Sequence, residues 1–279
     1  MSTIGDVLSG RARWVVLEAD CSEVLPVLPD ESVGHLIQDP PYGEHVHMLQ
    51  RRLKVGSGGK ETGATHTVVS APLGFEHLTS GLRAAVAKEA ARVTRRWIIT
   101  KSDMEGVHHW KMDLQDAGAR WLRFGVWWKG NAQPQLTGDR PGQGVEGIAI
   151  AHAAGQRCRW NSGGKHWRWM HPVATDRNRT GERVHTTQTP LSLWLEIVED
   201  FTDPGDLVLD PFCGSGSLGQ ACVRRGRRYS RYIGMDNGKD ENGKTWAEWA
   251  REGIEAELRG LTRAAARAGQ IGLFERAAQ

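Results

Sequence analysis

Cysteine is scarce: Cys21, Cys158, Cys213 and Cys222 are spread over 279 residues, and no two of them stand in a Cys-x-x-Cys spacing. That excludes the usual sequence signatures of a zinc ribbon or a disulfide scaffold. No stretch approaches the roughly 18 consecutive apolar residues of a membrane helix. Met1 to Gly10 lacks the basic-then-apolar order of a secretory signal, so an intracellular protein is expected, without membrane attachment. Net charge is also small, +3 from 36 Lys and Arg against 33 Asp and Glu, and cannot by itself identify a nucleic-acid partner. His45, His47, His66, His77, His108 and His109 match no helix-face pair and have no organised acidic neighbours, so no metal is expected. Tyrosine (three) and phenylalanine (five) are few, whereas tryptophan, at twelve, is abundant.

What is present is an α/β rhythm, long enough for one sizeable domain with room for an insertion. Strands are expected at Trp14 to Glu18, Val33 to Ile37, Trp97 to Thr100, Arg120 to Trp128, Gly147 to His152, Leu207 to Leu209 and Tyr232 to Asp236. Between them the spacing predicts helices from about Glu76 to Thr94, Val107 to Ala117, Pro190 to Phe201 and Leu218 to Arg225, and a terminal helix from Thr245 to Ala268. Thr189 is a candidate cap for the helix that opens at Pro190. Residues 43 to 74 read as one long mobile loop, and residues 130 to 187 lose the rhythm altogether. The expected division is therefore 1–129, 130–186 and 187–279, with the middle part inserted.

Two strings each follow a short apolar run that reads as a buried parallel strand. One is Asp39-Pro40-Pro41-Tyr42. The other, about 170 residues later, is Asp210-Pro211-Phe212-Cys213-Gly214-Ser215-Gly216-Ser217. Ligands of open α/β sheets bind outside the carboxyl ends of the strands, so both strings belong to one functional rim. Gly214, Gly216 and Gly219 also satisfy the Gly-x-Gly-x-x-Gly dinucleotide fingerprint, with Asp236 about 20 residues on. A nicotinamide cofactor therefore remains open on the glycines alone.

The two strings together, in this order, resemble those of the DNA amino-methyltransferases of the permuted beta group, which use S-adenosylmethionine (SAM). The resemblance extends from about residue 14 to 240. It implies a Rossmann-like methyltransferase fold: a mostly parallel seven-stranded sheet with one antiparallel strand, a permuted motif order, and a small recognition insertion. It also implies SAM bound by Asp210, Phe212, Cys213, Gly214, Ser215, Gly216 and Asp236, with Asp20 near the adenine ring. His185-Thr186-Thr187-Gln188-Thr189-Pro190 is similar to the family's His-x-Thr-Gln-Lys-Pro string, and on that likeness Thr187 and Gln188 join the cofactor set. Thr189 stands where Lys is usual.

The first string suits methylation of an exocyclic amine, whose lone pair is delocalised into the base ring. Asp39 and the Pro40 carbonyl can each accept one amine proton and so turn the lone pair toward the methyl donor. Pro40 and Pro41 remove competing N–H donors, and Tyr42 offers a face to an extruded base, a contact worth roughly 1–3 kcal/mol. In the family, Asp in the first position is commoner among adenine-N(6) enzymes and Ser among those acting on cytosine-N(4). Adenine in DNA is therefore favoured, and cytosine stays open.

Arg159, Trp160, Lys165, Trp167 and Arg168 interleave cations and aromatics in the irregular region and are the candidate DNA contacts, flanked by Arg157, Arg177, Arg179 and Arg183. The other reading of the same residues is a Trp-based core with a solvated basic rim. Arg51, Arg52, Lys54 and Lys60 belong to the long loop after Tyr42, which is expected to close over the extruded base. A restriction-modification setting in the cytoplasm of a bacterial or phage-infected cell is expected, and a homodimer is left open. Competing readings are an inactive nucleic-acid-binding module, and an RNA or protein-amide methyltransferase; relatives of the latter kind usually carry Asn first and the opposite motif order.

Overall fold

The structure is a computed structural model in which residues 2–43, 53–56, 65–68, 77–132, 141–173, 184, 188–224 and 230–271 are described. In chain order the elements are α1 (Ile4–Leu8), β1 (Trp14–Glu18), α2 (Cys21–Val24) with a 3-10 turn at Leu25–Val27, β2 (His35–Gln38), β3 (Leu53–Gly56), β4 (Thr65–Val68), α3 (Ser80–Val93), β5 (Trp97–Ser102), α4 (Gly106–Asp116), β6 (Arg120–Trp128), β7 (Val145–His152), β8 (Arg168–Met170), α5 (Leu191–Phe201), β9 (Leu207–Asp210), α6 (Ser217–Val223), β10 (Arg231–Asp236), α7 (Trp246–Arg259) and α8 (Arg263–Arg267).

One eight-stranded sheet runs in the order β1-β10-β9-β2-β5-β7-β6-β8. Only β7 runs antiparallel to its neighbours, pairing with β5 and β6 in that sense. The eighth strand was not expected: Arg168–Met170 of the irregular region pairs in parallel with Val126–Trp128 at the edge. A three-residue strand has too few positions to show alternation, which is why the sequence conceals it. The expected long loop likewise contains the antiparallel pair β3–β4, with Leu53 opposite Val68; the rest of that segment, including Arg51, Arg52 and Lys60, lies outside the described residues.

β2 and β9 are buried along their whole length, as central strands covered on both faces must be. One core layer gathers Val7, Cys21, Leu25, Val86, Ala90, Trp110 and Leu114 from α1–α4 and the 3-10 turn. The other gathers Leu193, Ile197, Phe201, Leu218, Ala247 and Ile254 from α5–α7. Six tryptophans, at positions 97, 110, 127, 169, 194 and 246, are buried, so half of the Trp excess belongs to the core.

Two helix ends differ from expectation. Pro190, rather than Thr189, is the residue before the first turn of α5, and Thr189 is released for another partner. The long terminal helix is two helices. Gly260 takes the left-handed conformation (φ 70°) that ends α7, and Thr262 caps α8 by accepting from the Ala265 N–H.

Candidate active site at the carboxyl rim of the sheet

β2 and β9 are hydrogen-bonded neighbours, with Leu36 opposite Leu209. Asp39 follows the last residue of β2, and Asp210 is the last residue of β9, its parallel neighbour. The two sequence-distant strings therefore open onto the same rim. Asp39 is one of the charges that disfavour ionisation of Asp210.

Asp39 is held at both carboxylate oxygens. Lys101 Nζ donates to Oδ1 at 2.9 Å and Thr189 Oγ1 donates to Oδ2 at 2.6 Å. The same ammonium reaches the Tyr42 hydroxyl at 2.9 Å. Behind it Glu146 pairs with Lys101 at 2.5 Å and also with Lys129. The order along the rim is thus acid, base, acid, base, from β2 through β5 and β7 to β6. Burial works against the charge on Lys101, but Asp39 and Glu146 outweigh it and hold the amine well above its ordinary range. Burial would likewise raise Glu146, yet Lys101 and Lys129 bring it down to about 2. Burial raises the Tyr42 phenol well above its ordinary value, so it stays a neutral hydroxyl.

The glycine loop is built around two carboxylates. Asp210 lies inside: its Oδ1 accepts the Phe212 N–H at 3.2 Å and its Oδ2 the Tyr232 hydroxyl at 2.7 Å. Burial pushes it up to about 8 despite those donors. The side chain thus organises the loop from within. Asp236, ending β10, accepts from the Gly214 and Gly238 N–H groups at 2.9 and 2.8 Å, and burial raises it. Gly214 (φ 47°) faces open space: a Cβ there would meet no heavy atom within 4 Å. Gly216 (φ 81°) is pressed on α7, and a Cβ would come 2.6 Å from the Ala250 Cα. One glycine leaves room on the rim, and the other lets α6 approach α7.

Cys213 and Ser215 are buried in the loop, and Phe212 packs at the margin of the core. Gln188 donates to Ser217 Oγ at 3.1 Å and accepts the Val184 N–H at 2.9 Å, which ties the segment before α5 to the start of α6. Thr187 lies outside the described residues. Asp20 follows β1, next to β10 in the sheet. It caps α2 through the Ser22 N–H at 2.8 Å and accepts from Asn237 at 2.9 Å.

The basic, Trp-rich segment does not form one face. Arg159 is bound through its carbonyl to the indole of Trp97, the first residue of β5, and its guanidinium pairs with Asp203. Lys101 lies four residues further along that strand, roughly 13 Å away, so Arg159 and Trp160 stand toward the strand-start end of the sheet. Trp160 packs edge-on against Phe201 at 4.9 Å. Lys165 is paired with Asp200 and Glu196, and the Trp169 indole donates to the same Asp200 at 2.7 Å. Arg168, which opens the edge strand, and Trp167 just before it are exposed, near the rim. Arg177, Arg179 and Arg183 lie outside the described residues. Among the described residues, no group of three or more His, Cys, Asp or Glu could hold a metal, and no helix is long and apolar enough to cross a membrane.

Lys101, Glu146 and Thr189 were missed in the sequence. Lys101 carried a signal, because an ionisable residue near the end of the apolar run Trp97 to Ser102 must find partners if that strand is central. Glu146 had none: its position opposite Lys101 exists only once β5 and β7 are paired.

A family model described as DNA methylase matches residues 149–242, from β7 through the glycine loop to β10. The Type II methyltransferase M.HinfI of Haemophilus influenzae is 24% identical over 77% of this chain. By these two matches the chain is similar to the N6/N4 DNA methylases. The match spans 63% of the length of M.HinfI. The fold is that of the crystallised M1.HpyAVI–SAM complex (TM-score 0.57, 21% identity, 86% of this chain and 98% of that one). It is equally that of the cytosine-N4-specific PvuII DNA methyltransferase (TM-score 0.60, 14% identity, 86% of each chain).

Proposed function

We propose that this chain transfers a methyl group from SAM to an exocyclic amine of a base in DNA, with adenine-N(6) as the target. One observation carries this reading: Asp39 and the Gly214 loop stand at the carboxyl ends of neighbouring strands, on one rim. SAM, when bound, supplies an electrophilic methyl carbon. The open side of Gly214 and the polar groups of Asp236, Ser215 and Gln188 fit a ligand with ribose and amino-acid parts. Asp20, Phe212, Cys213 and Thr187 complete the proposed cofactor set, with Asp210 shaping the loop.

Asp39 and the Pro40 carbonyl accept the two amine protons, and Tyr42 stacks on the base. Each Asp39 oxygen spends one lone pair on Lys101 or Thr189 and keeps another for the substrate. Alignment of donor and acceptor does most of the work in such a transfer. For DNA contacts, Trp167 and Arg168 are the exposed members of the basic segment. The preference for adenine follows from Asp in the first position of the string. Nucleoside analysis of DNA treated with the protein and labelled SAM tests the reading. The expected product is N6-methyladenine; N4-methylcytosine would replace the base assignment, and unmodified DNA would remove the activity.

A further inference from the structure

We propose that Lys101 is a positioning residue of the methyl transfer, fixing both ends of the catalytic string with a single buried ammonium. This inference rests on the assignment of Asp39 and Tyr42 above. The Lys101 side chain is 4% exposed, and its ammonium hydrogen-bonds two oxygens and forms an ion pair with a third. These are Asp39 Oδ1 at 2.9 Å, the Tyr42 hydroxyl at 2.9 Å and a Glu146 carboxylate oxygen at 2.5 Å. Asp39 and Tyr42 are the first and last residues of Asp39-Pro40-Pro41-Tyr42, and the prolines between them have no N–H with which to brace the turn. Lys101 is the brace.

Its grip is completed from the other side. Thr189 holds the second Asp39 oxygen, so the carboxylate plane is fixed from both sides while a quarter of the side chain stays exposed. A catalytic acceptor must be held within about 10–20° of its productive direction by residues that are themselves locked. Lys101 meets that condition. Glu146 holds it from β7, Glu146 is held in turn by Lys129 on β6, and the Trp127 ring lies 5.5 Å from one ammonium and 5.2 Å from the other. The chain of charges ends where β6 gives way to the inserted region: Trp127 donates from its indole to the His171 carbonyl at 2.8 Å. One oxygen of the catalytic carboxylate is thus braced by strands on the insertion side of the sheet, and the other by the segment that leads into α5.

The test uses the full chain and the variants Lys101→Met, Lys101→Arg and Asp39→Asn, with labelled SAM and DNA that the wild type methylates. For Lys101→Met the single-turnover rate is expected to fall at least about tenfold while the Kd values for SAM and DNA stay within about threefold; Lys101→Arg, which keeps the charge, recovers most of the rate. A Lys101→Met rate within about threefold of wild type overturns the proposal, as does a loss shared equally by SAM affinity. Should Lys101→Met fail to fold, Glu146→Gln decides. That variant loosens the hold on the ammonium from β7, so a single-turnover rate lowered about threefold or more at unchanged SAM affinity supports positioning, and a wild-type rate overturns it. Asp39→Asn separates the two levels. If it turns over normally, the assignment of Asp39 fails whatever Lys101 does; if it is inactive while Lys101→Met is active, this inference alone fails.

Discussion

Thr189 and Asp39 are 150 residues apart in sequence and joined by a hydrogen bond of 2.6 Å, from the threonine hydroxyl to the carboxylate. The bond ties the segment that leads into α5 to the Asp39–Tyr42 string after β2. Thr189→Val removes the donor with little change of volume. Hydrogen bonds to charged groups contribute about 1.5–3 kcal/mol, so kcat is expected to fall roughly ten- to hundredfold. Steady-state kinetics with a SAM-binding control checks this.

The two loop glycines are expected to fail differently. Gly216→Ala forces a left-handed backbone on alanine, costing about 1–2 kcal/mol, and drives its Cβ to within 2.6 Å of the Ala250 Cα. Its melting temperature is expected to drop by several degrees, at about 2–4 °C per kcal/mol for a domain of this size. Gly214→Ala has no neighbour to strike, so its fold loses less, while the methyl group fills the space assigned to SAM. Thermal melts beside calorimetric SAM titrations separate the two.

Asp210 makes stability depend on pH in a defined direction. Its carboxyl is pushed up from 3.8 to about 8 in the folded chain, so between those values the folded state binds more protons than the unfolded one. This contribution is therefore most favourable below about pH 4, declines as pH rises, and levels off above about pH 8, with a slope of at most about 1.4 kcal/mol per unit. Asp210→Asn is expected to flatten that decline. Denaturant unfolding of both proteins across pH 5 to 8 measures it. Glu146, held at about 2, acts in the opposite sense: its contribution is present above about 4.5 and lost as pH falls toward 2.

The basic segment divides by exposure. Trp167→Ala with Arg168→Ala is expected to weaken DNA binding about tenfold or more, reduce its salt dependence and leave the melting temperature unchanged. Asp200→Ala should do the reverse. It leaves the buried Trp169 indole N–H without its acceptor and Lys165 with Glu196 alone, a loss of roughly 1–3 kcal/mol.

Those contrasts show what could be read from the residues alone. The strands, most helices and the convergence of the two strings were legible because apolar runs and glycine or proline punctuation are local signals. Strand β8 was not, since three residues cannot show a period. The break at Gly260 was missed because Ala, Glu, Arg and Leu on both sides sustain a helical composition through it. For the site, Asp39 and Gly214 could be found by motif. The partners of Asp39 could not: Thr189 looked like a cap for α5, and Lys101 meets Asp39 only because β2 and β5 lie side by side in the sheet. In the basic segment, composition could not tell a tryptophan packed on Phe201 from one open to solvent.

The most direct measurement is methyl transfer by Asp39→Ala, followed with labelled SAM on DNA, beside the SAM affinity of the same variant. The account predicts that SAM binds with an affinity within about threefold of wild type and that incorporation falls to background. Wild-type incorporation by that variant would contradict it.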